Sequence, residues 1–330
     1  KLMFEERRTG NQFHVSPTDD ASMSPCETVY FNPDYRTIST MPLLYYWTAQ
    51  NREWDLNYGA SFHLNQKNAL LHGIEPGESL WAFTRRSDGK YTMAAELIIR
   101  ARTRNPETYR YGTYRVWGDL DRSRYFDIEH LPNAEPIIRM LTCKTDAEKL
   151  GQSFQGNAAV KRIGADDDAI LRSFCIDFPT DARAKLLPED QLEAALMTDN
   201  PDRVRELVRV TYADDAHRDR MQRLQETIAT RSRQHVLELR DIYNGCCQIC
   251  AWSPRAVYGN DICEAHHVQW ISRGGIDALS NLVLVCPNHH RAIHRFDAPY
   301  DWADNTFQFG ASSEALMLQK HALLPVERSM

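Results

Sequence analysis

Five of the chain's eight cysteines lie between residues 246 and 286, and five of its twelve histidines lie between 266 and 294. This crowding constrains the fold more than any other feature, because clustered thiols without the spacing of a secreted disulfide framework point to metal. Cys247 and Cys250 have the two-residue knuckle spacing, and Cys286 with His289 repeats it after 35 intervening residues. These four supply the ligands of one tetrahedral structural zinc. Cys246 and Cys263 are left as packing residues.

Four histidines then remain: His266, His267, His290 and His294. His290 and His294, four apart, share one face of a helix and can hold one ion. His266 and His267 are adjacent on a short strand, so their side chains point to opposite sides. One can complete the metal site while the other addresses a substrate. Arg273-Gly274-Gly275 makes a tight turn, and Asn281 to Cys286 reads as a return strand. The predicted order is strand, turn, strand, helix.

From about residue 235 to 296 this pattern resembles the HNH endonucleases. It rests on Cys247-Gln248-Ile249-Cys250, Glu264-Ala265-His266-His267, Gly274-Gly275, Asn281-Leu282-Val283, Cys286-Pro287-Asn288-His289-His290 and His294. The resemblance implies a ββα-metal fold in which His266, His290 and His294 hold a catalytic divalent ion. It makes His267 the general base, and Asn281 the residue that fixes the loop bearing it. Products would carry 5′ phosphate and 3′ hydroxyl. One departure is His289, where double-knuckle families usually have cysteine; since histidine is an ordinary zinc ligand, three cysteines and one histidine are expected. Phosphodiester hydrolysis needs a positive charge at the phosphate and a proton acceptor near neutral pH, and an ion with an imidazole supplies both. Ligand type alone leaves Mg2+, Mn2+, Ni2+ and Zn2+ open for the catalytic ion.

Upstream, residues 180 to 245 have helical patterning. One helix opens at Leu187-Pro188-Glu189-Asp190, a second at Asn200-Pro201, and a third runs from Asp214 to Asn244 and ends at Gly245. Residues 28 to 142 instead hold short apolar runs (43–47, 79–83, 93–99, 113–117) separated by Gly and Pro punctuation, with helical pieces at Asn65–His72 and Glu135–Leu141. That order resembles the PUA-like superfamily (EVE, ASCH and SRA-type modules). The resemblance implies a base taken out of the stack into an aromatic pocket, with Tyr46, Trp47, Trp54 and Trp117 as the sandwich and Asp119 or Arg124 as edge readers.

The fold class expected is therefore α+β. It comprises an N-terminal extension (1–27), a PUA-like barrel as reader of modified DNA (28–145), a helical connector (146–234), the HNH domain (235–310) and a C-terminal tail (311–330). The net charge of −6 excludes a polycation that coats phosphate indiscriminately. Residues 84 to 124 are the exception, with ten Lys or Arg against five acids among Tyr and Trp. The longest uncharged run, Thr37 to Asn51, is too short to cross a bilayer, and the first 30 residues lack the apolar core of a secretory signal. A cytoplasmic protein of bacterial type, without membrane contact, is expected.

The function expected is a modification-dependent restriction enzyme that hydrolyses double-stranded DNA bearing a modified, cytosine-type base, with a homodimer as an option for cutting both strands. Two alternatives remain. The first is an antiviral-defence nuclease gated by a nucleotide or protein bound to the front domain. The second is a zinc-containing DNA-binding protein without catalysis.

Overall fold

The four apolar runs are strands, as their alternation requires. In chain order the first sheet contains β1 (Leu43–Tyr46), β2 (His63–Gln66), β3 (Ser79–Arg85), β4 (Tyr91–Arg104), β5 (Tyr114–Gly118), β6 (Arg124–Tyr125) and β7 (Val160–Arg162). The computed structural model describes residues 41–59, 62–197, 200–211, 233–319 and 321–326, all within one compact unit, Thr40–Met330. The expected N-terminal extension and residues 28–40 of the expected reader lie outside the described residues.

Strand β4 organises this sheet. Its first half pairs with β3 and β6 and its second half with β5, and the register shifts between Ile99 and Ala101. Such a bulge bends the strand and increases its twist. β1 runs parallel to β3, and β7 and β2 close the two edges in the order β2-β5-β4-β3-β1-β7. The edge strands do not pair with each other, so the sheet is a curled half-barrel. Alternate residues of β1 and β3 feed two cores: Leu43, Tyr45, Leu80 and Ala82 one, Leu44, Trp81 and Phe83 the other. β7 falls in the segment expected to be helical connector, so the sheet draws on residues beyond 145.

Two local expectations change. Residues 63–66 are a strand, and the helix expected over Asn65–His72 is confined to Leu70–Gly73. Pairing of β2 with β5 overrides local propensity, and Asn65 Oδ1 accepts from Asn105 Nδ2 (2.9 Å) and Arg115 Nε (2.7 Å) across the sheet. The polar stretch after β1 forms helix α1 (Ala49–Tyr58), which no apolar periodicity announces. It is held by the buried Arg52, whose Nη2 donates to Phe126 O and Asp181 Oδ2, both at 2.9 Å.

After α2 (Leu70–Gly73), α3 (Glu135–Met140) and α4 (Ala165–Phe174) come the connector helices α5 (Glu189–Met197) and α6 (Pro201–Thr211). Leu192, Ala195 and Leu196 of α5 pack with Val204 and Val208 of α6 and with Ile271. Asn200 caps α6 by accepting the Arg203 N–H (3.0 Å). Of the third expected helix, the described residues contain α7 (Arg233–Tyr243). Gly245 follows it at φ +69°, where a Cβ would meet Asp261 Oδ1 at 2.3 Å, so glycine is favoured.

The C-terminal part has the expected order. After α8 (Pro254–Tyr258), β8 (Glu264–His267) pairs antiparallel with β9 (Leu282–Val285), and α9 (Pro287–Phe296) follows. Strands β10 (Tyr300–Asp301), β11 (Thr306–Phe309) and β12 (Ser312–Ala315) add a small sheet that extends into the expected tail. The front sheet and this element share a core, since Trp117 of β5 packs in the cluster of Leu282–Val285, Ile293, Tyr300 and Phe307. Arg100 of β4 also donates to Phe296 O (3.0 Å) and Asp297 O (2.7 Å) at the end of α9. Among the described residues no helix is long and apolar enough to cross a membrane.

Candidate active site

The β8–β9 hairpin and α9 gather two sets of ligand atoms. Cys247 and Cys250, in the turn after α7, meet Cys286 at the N-cap of α9 and His289 in its first turn, with all four donor atoms within 4.8 Å of one another. His289 Nδ1 lies 3.6 Å from Cys247 Sγ and 3.2 Å from Cys286 Sγ. Around an ion with bonds of about 2.3 Å to sulfur and 2.0 Å to nitrogen, tetrahedral corners are separated by about 3.5 Å, so this group fits a metal. The other ring nitrogen of His289 faces Glu314 Oε2 at 2.9 Å, which fixes the ring as outer partners of metal-bound histidines do. Cys263 is buried in the adjoining core, and Cys246 lies half-buried beside it.

The second set is His266 from β8, His290 and His294 from successive turns of α9, and Glu193 from α5. Glu193 Oε2 lies 2.8 Å from His290 Nε2, 2.9 Å from His294 Nε2 and 3.4 Å from His266 Nδ1. The two α9 nitrogens are 3.2 Å apart. His266 is fully buried, and neither of its ring nitrogens has a hydrogen bond. Burial drives its pKa down to about 4, so the imidazole is neutral with a lone pair to offer. A buried, orphaned, neutral imidazole beside two others could hold a metal ion. Glu264 Oε2 holds His290 Nδ1 at 2.6 Å, turning Nε2 toward the cluster.

His267 is buried beside this cluster. Its Nδ1 is 3.0 Å from Glu193 Oε1 and its Nε2 is 2.9 Å from Asp277 Oδ1, while its backbone N–H also donates to Glu193 Oε1 (3.1 Å). Burial lowers its pKa, but the hydrogen bonds with Asp277 and Glu193 outweigh this and hold it at about 9. The Glu193 carboxyl, although buried, is held well below its usual range by the histidines around it. Asn281 ties down the loop after His267: its Oδ1 accepts the Gln269 N–H (2.8 Å), and its Nδ2 donates to Gln269 O and Ile276 O (both 2.9 Å).

Residues 247–296 match the family model described as HNH endonuclease. This element is therefore an HNH endonuclease domain, 50 of the chain's 330 residues. No curated protein matches the chain. Among solved structures, one titled "Modification dependent TagI restriction endonuclease" aligns at 10% identity with a TM-score of 0.25, over 79% of this chain and 65% of that one. The chain thus spans just under two thirds of that protein's length, and a likeness at this level carries no argument about function.

A cleft of about 830 Å³ opens onto the HNH site between α5 and α9. It is lined by His290 and His294, by the exposed Arg291 and Arg295 of α9, by Arg100 of β4 and by Asp119 in the turn after β5. The six expected base readers do not form one site. Tyr46, Trp47 and Trp54 line a separate cavity of about 200 Å³ with Tyr58, Tyr109 and Tyr125. Trp117 is buried instead, stacked nearly parallel to Trp302 at 6.3 Å, with its indole N–H donating to Thr103 Oγ1 (2.8 Å). Asp119 caps a turn by accepting the Asp121 and Arg122 N–H groups (both 3.0 Å), and Arg124 donates to Glu96 Oε2 (2.9 Å).

Sequence reasoning missed Glu193 and Asp277. The only trace of Glu193 is its spacing from Glu189: two acids four apart on the face of α5 that also carries Leu192 and Leu196. Asp277 has the appearance of an ordinary turn residue.

Proposed function

We propose that the protein is a metal-dependent DNA endonuclease that acts as a modification-dependent restriction enzyme. Convergence of His266, His290 and His294 beside His267, on the hairpin and helix of the HNH domain, is the observation that carries this reading. A divalent ion held by the three histidines supplies positive charge to the scissile phosphate; Mg2+, Mn2+, Ni2+ and Zn2+ all suit the site. The thiol group at Cys247, Cys250, Cys286 and His289 takes Zn2+ and braces the scaffold.

His267 acts as the general base. Asp277 holds Nε2 and leaves Nδ1 facing the cluster, so Nδ1 is the nitrogen that takes the proton of the attacking water. Glu193 Oε1 lies against Nδ1 at 3.0 Å, so the water that this nitrogen deprotonates would enter beside that carboxylate. A divalent ion on the neighbouring histidines would offset the charge of that carboxylate and so favour the neutral, basic form of the ring. Asn281 keeps the supporting loop in register, and Arg291 and Arg295 meet phosphates along the cleft.

Base reading falls to the front half-barrel, which we take to be a PUA-like reader. Support comes from the aromatic cavity at Trp47, Trp54 and Tyr58, which suits a single flipped base, while the Tyr46 ring packs against Phe83 and Tyr91 on the other side of β1. On this reading the enzyme works in a bacterial cytoplasm against foreign DNA. The test is cleavage of matched plasmids carrying unmodified, methylated, hydroxymethylated or glucosylated cytosine, with Mg2+ or Mn2+ added. Cutting confined to a modified plasmid is expected. Equal cutting of all four removes modification dependence, and DNA binding without cutting favours a non-catalytic zinc protein.

A further inference from the structure

We propose that Glu193 is a fourth protein ligand of the catalytic ion, so that the nuclease metal site is shared between the connector helix α5 and the HNH domain. The inference rests on the reading of His266, His290 and His294 as ion ligands. It adds a residue 54 positions upstream of the segment that matches the family, as 247 less 193 gives.

The spacing separates two roles for the carboxylate. If Glu193 Oε2 stood where the ion belongs, the two imidazole nitrogens at 2.8 and 2.9 Å from it would spread around it by 90° or more, placing them roughly 4 Å or more apart. They are 3.2 Å apart. Ligands about 2.1 Å from one ion are separated by about 3.0 Å at neighbouring octahedral corners and about 3.4 Å at tetrahedral ones. The observed 2.8, 2.9, 3.2 and 3.4 Å lie at or near that range, so Oε2 occupies a corner of the same polyhedron as the three nitrogens.

Burial gives the second reason. Glu193 is 2% exposed, and Glu189, one turn earlier on the same helix, is buried as well. Two buried carboxylates on one face require compensation. Glu189 has its own, since Oε1 accepts the Ile271 N–H (2.8 Å) and Oε2 the Ser272 N–H (2.9 Å). These bonds dock α5 and hold Glu193 over the histidines. An ion at that point satisfies the Glu193 charge and the orphaned His266 together.

By linkage, an ion that gains a ligand from α5 must tighten the docking of α5 by the same factor. Because Oε1 of the same carboxylate touches His267, the helix also reports metal occupancy to the base.

The experiment uses the full chain with its thiol site filled by one equivalent of Zn2+. Mn2+ is titrated calorimetrically into wild type, Glu193→Gln, Glu193→Asp and His294→Ala, and amide hydrogen exchange of residues 189–197 is followed with and without Mn2+. We expect Glu193→Gln to weaken Mn2+ binding ten- to a hundredfold, as loss of a group at a metal site does. Glu193→Asp, charged but one methylene too short, should weaken it as well. Mn2+ should slow exchange across α5 in wild type but not in Glu193→Gln. Should Glu193→Gln fail to fold, Glu193→Asp and the wild-type exchange decide. Unchanged or tighter Mn2+ binding in a folded Glu193 variant, or faster α5 exchange on adding Mn2+, overturns the proposal. Wild type that binds no second ion overturns the nuclease site itself, whereas binding lost in His294→Ala but intact in Glu193→Gln overturns only the role of Glu193.

Discussion

The two ligand clusters of the C-terminal region share helix α9 yet are assembled in opposite ways. The thiol group takes all four of its members from residues 247 to 289, each placed by a local turn or by the first turn of α9. The histidine group takes His290 and His294 from the same helix but reaches back to α5 for Glu193. His289 and His290 are neighbours in sequence and serve different clusters, because successive helical residues point about 100° apart. A site closed by local chain can brace a scaffold on its own. A site that borrows a residue from another element depends on how that element docks.

The largest effect that would sharpen this contrast is expected at Cys286→Ala. Structural zinc contributes on the order of 10 kcal/mol to small zinc folds, so this variant should lose its zinc and cooperative unfolding of the HNH domain, as read by calorimetry. His294→Ala should instead keep zinc and the melting transition while losing cleavage. If both variants unfold alike, the distinction between brace and working site fails.

Next in size is His267→Ala. Plasmid cleavage should fall about 100- to 10,000-fold, the range for a general base, with metal content unchanged. An equally active variant refutes the assigned base. Asn281→Ala removes three hydrogen bonds from the loop after His267, and should cost about 1–3 kcal/mol of stability in denaturant melts together with part of the activity. Asp277→Asn should lower kcat roughly tenfold with little change in KM, a fraction of the base's own contribution. The smallest effect is expected at Glu314→Gln. Glu314 is 42% exposed where it meets His289, so a competition assay with a chelator should show zinc affinity lowered by no more than about tenfold.

The same local-against-distant contrast decides what could be read from sequence. The hairpin and α9 were legible because Cys247 to His294 combine fixed spacing with short-range turns, and the runs at 43–47, 79–83, 93–99 and 113–117 because strand alternation is local. Helix α1 was not, since burial of Arg52 against Asp181 is a contact across 129 residues. The strand at 63–66 is likewise set by its partner β5. Aromatic residues carry no label for their surroundings. Tyr46, Trp47 and Trp54 line a cavity, while Trp117, similar in sequence context, is stacked inside the core shared with the HNH domain. Glu193 and Asp277 escaped for the same reason, because an acid on a helix or in a turn is ordinarily solvated.

Native mass spectrometry of the intact chain, reconstituted with Zn2+ and Mn2+, tests the account most directly. Two ions are expected in wild type and one in His294→Ala, the survivor being the zinc on Cys247, Cys250, Cys286 and His289. A single ion in wild type, or loss of both ions in a folded His294→Ala, would contradict it.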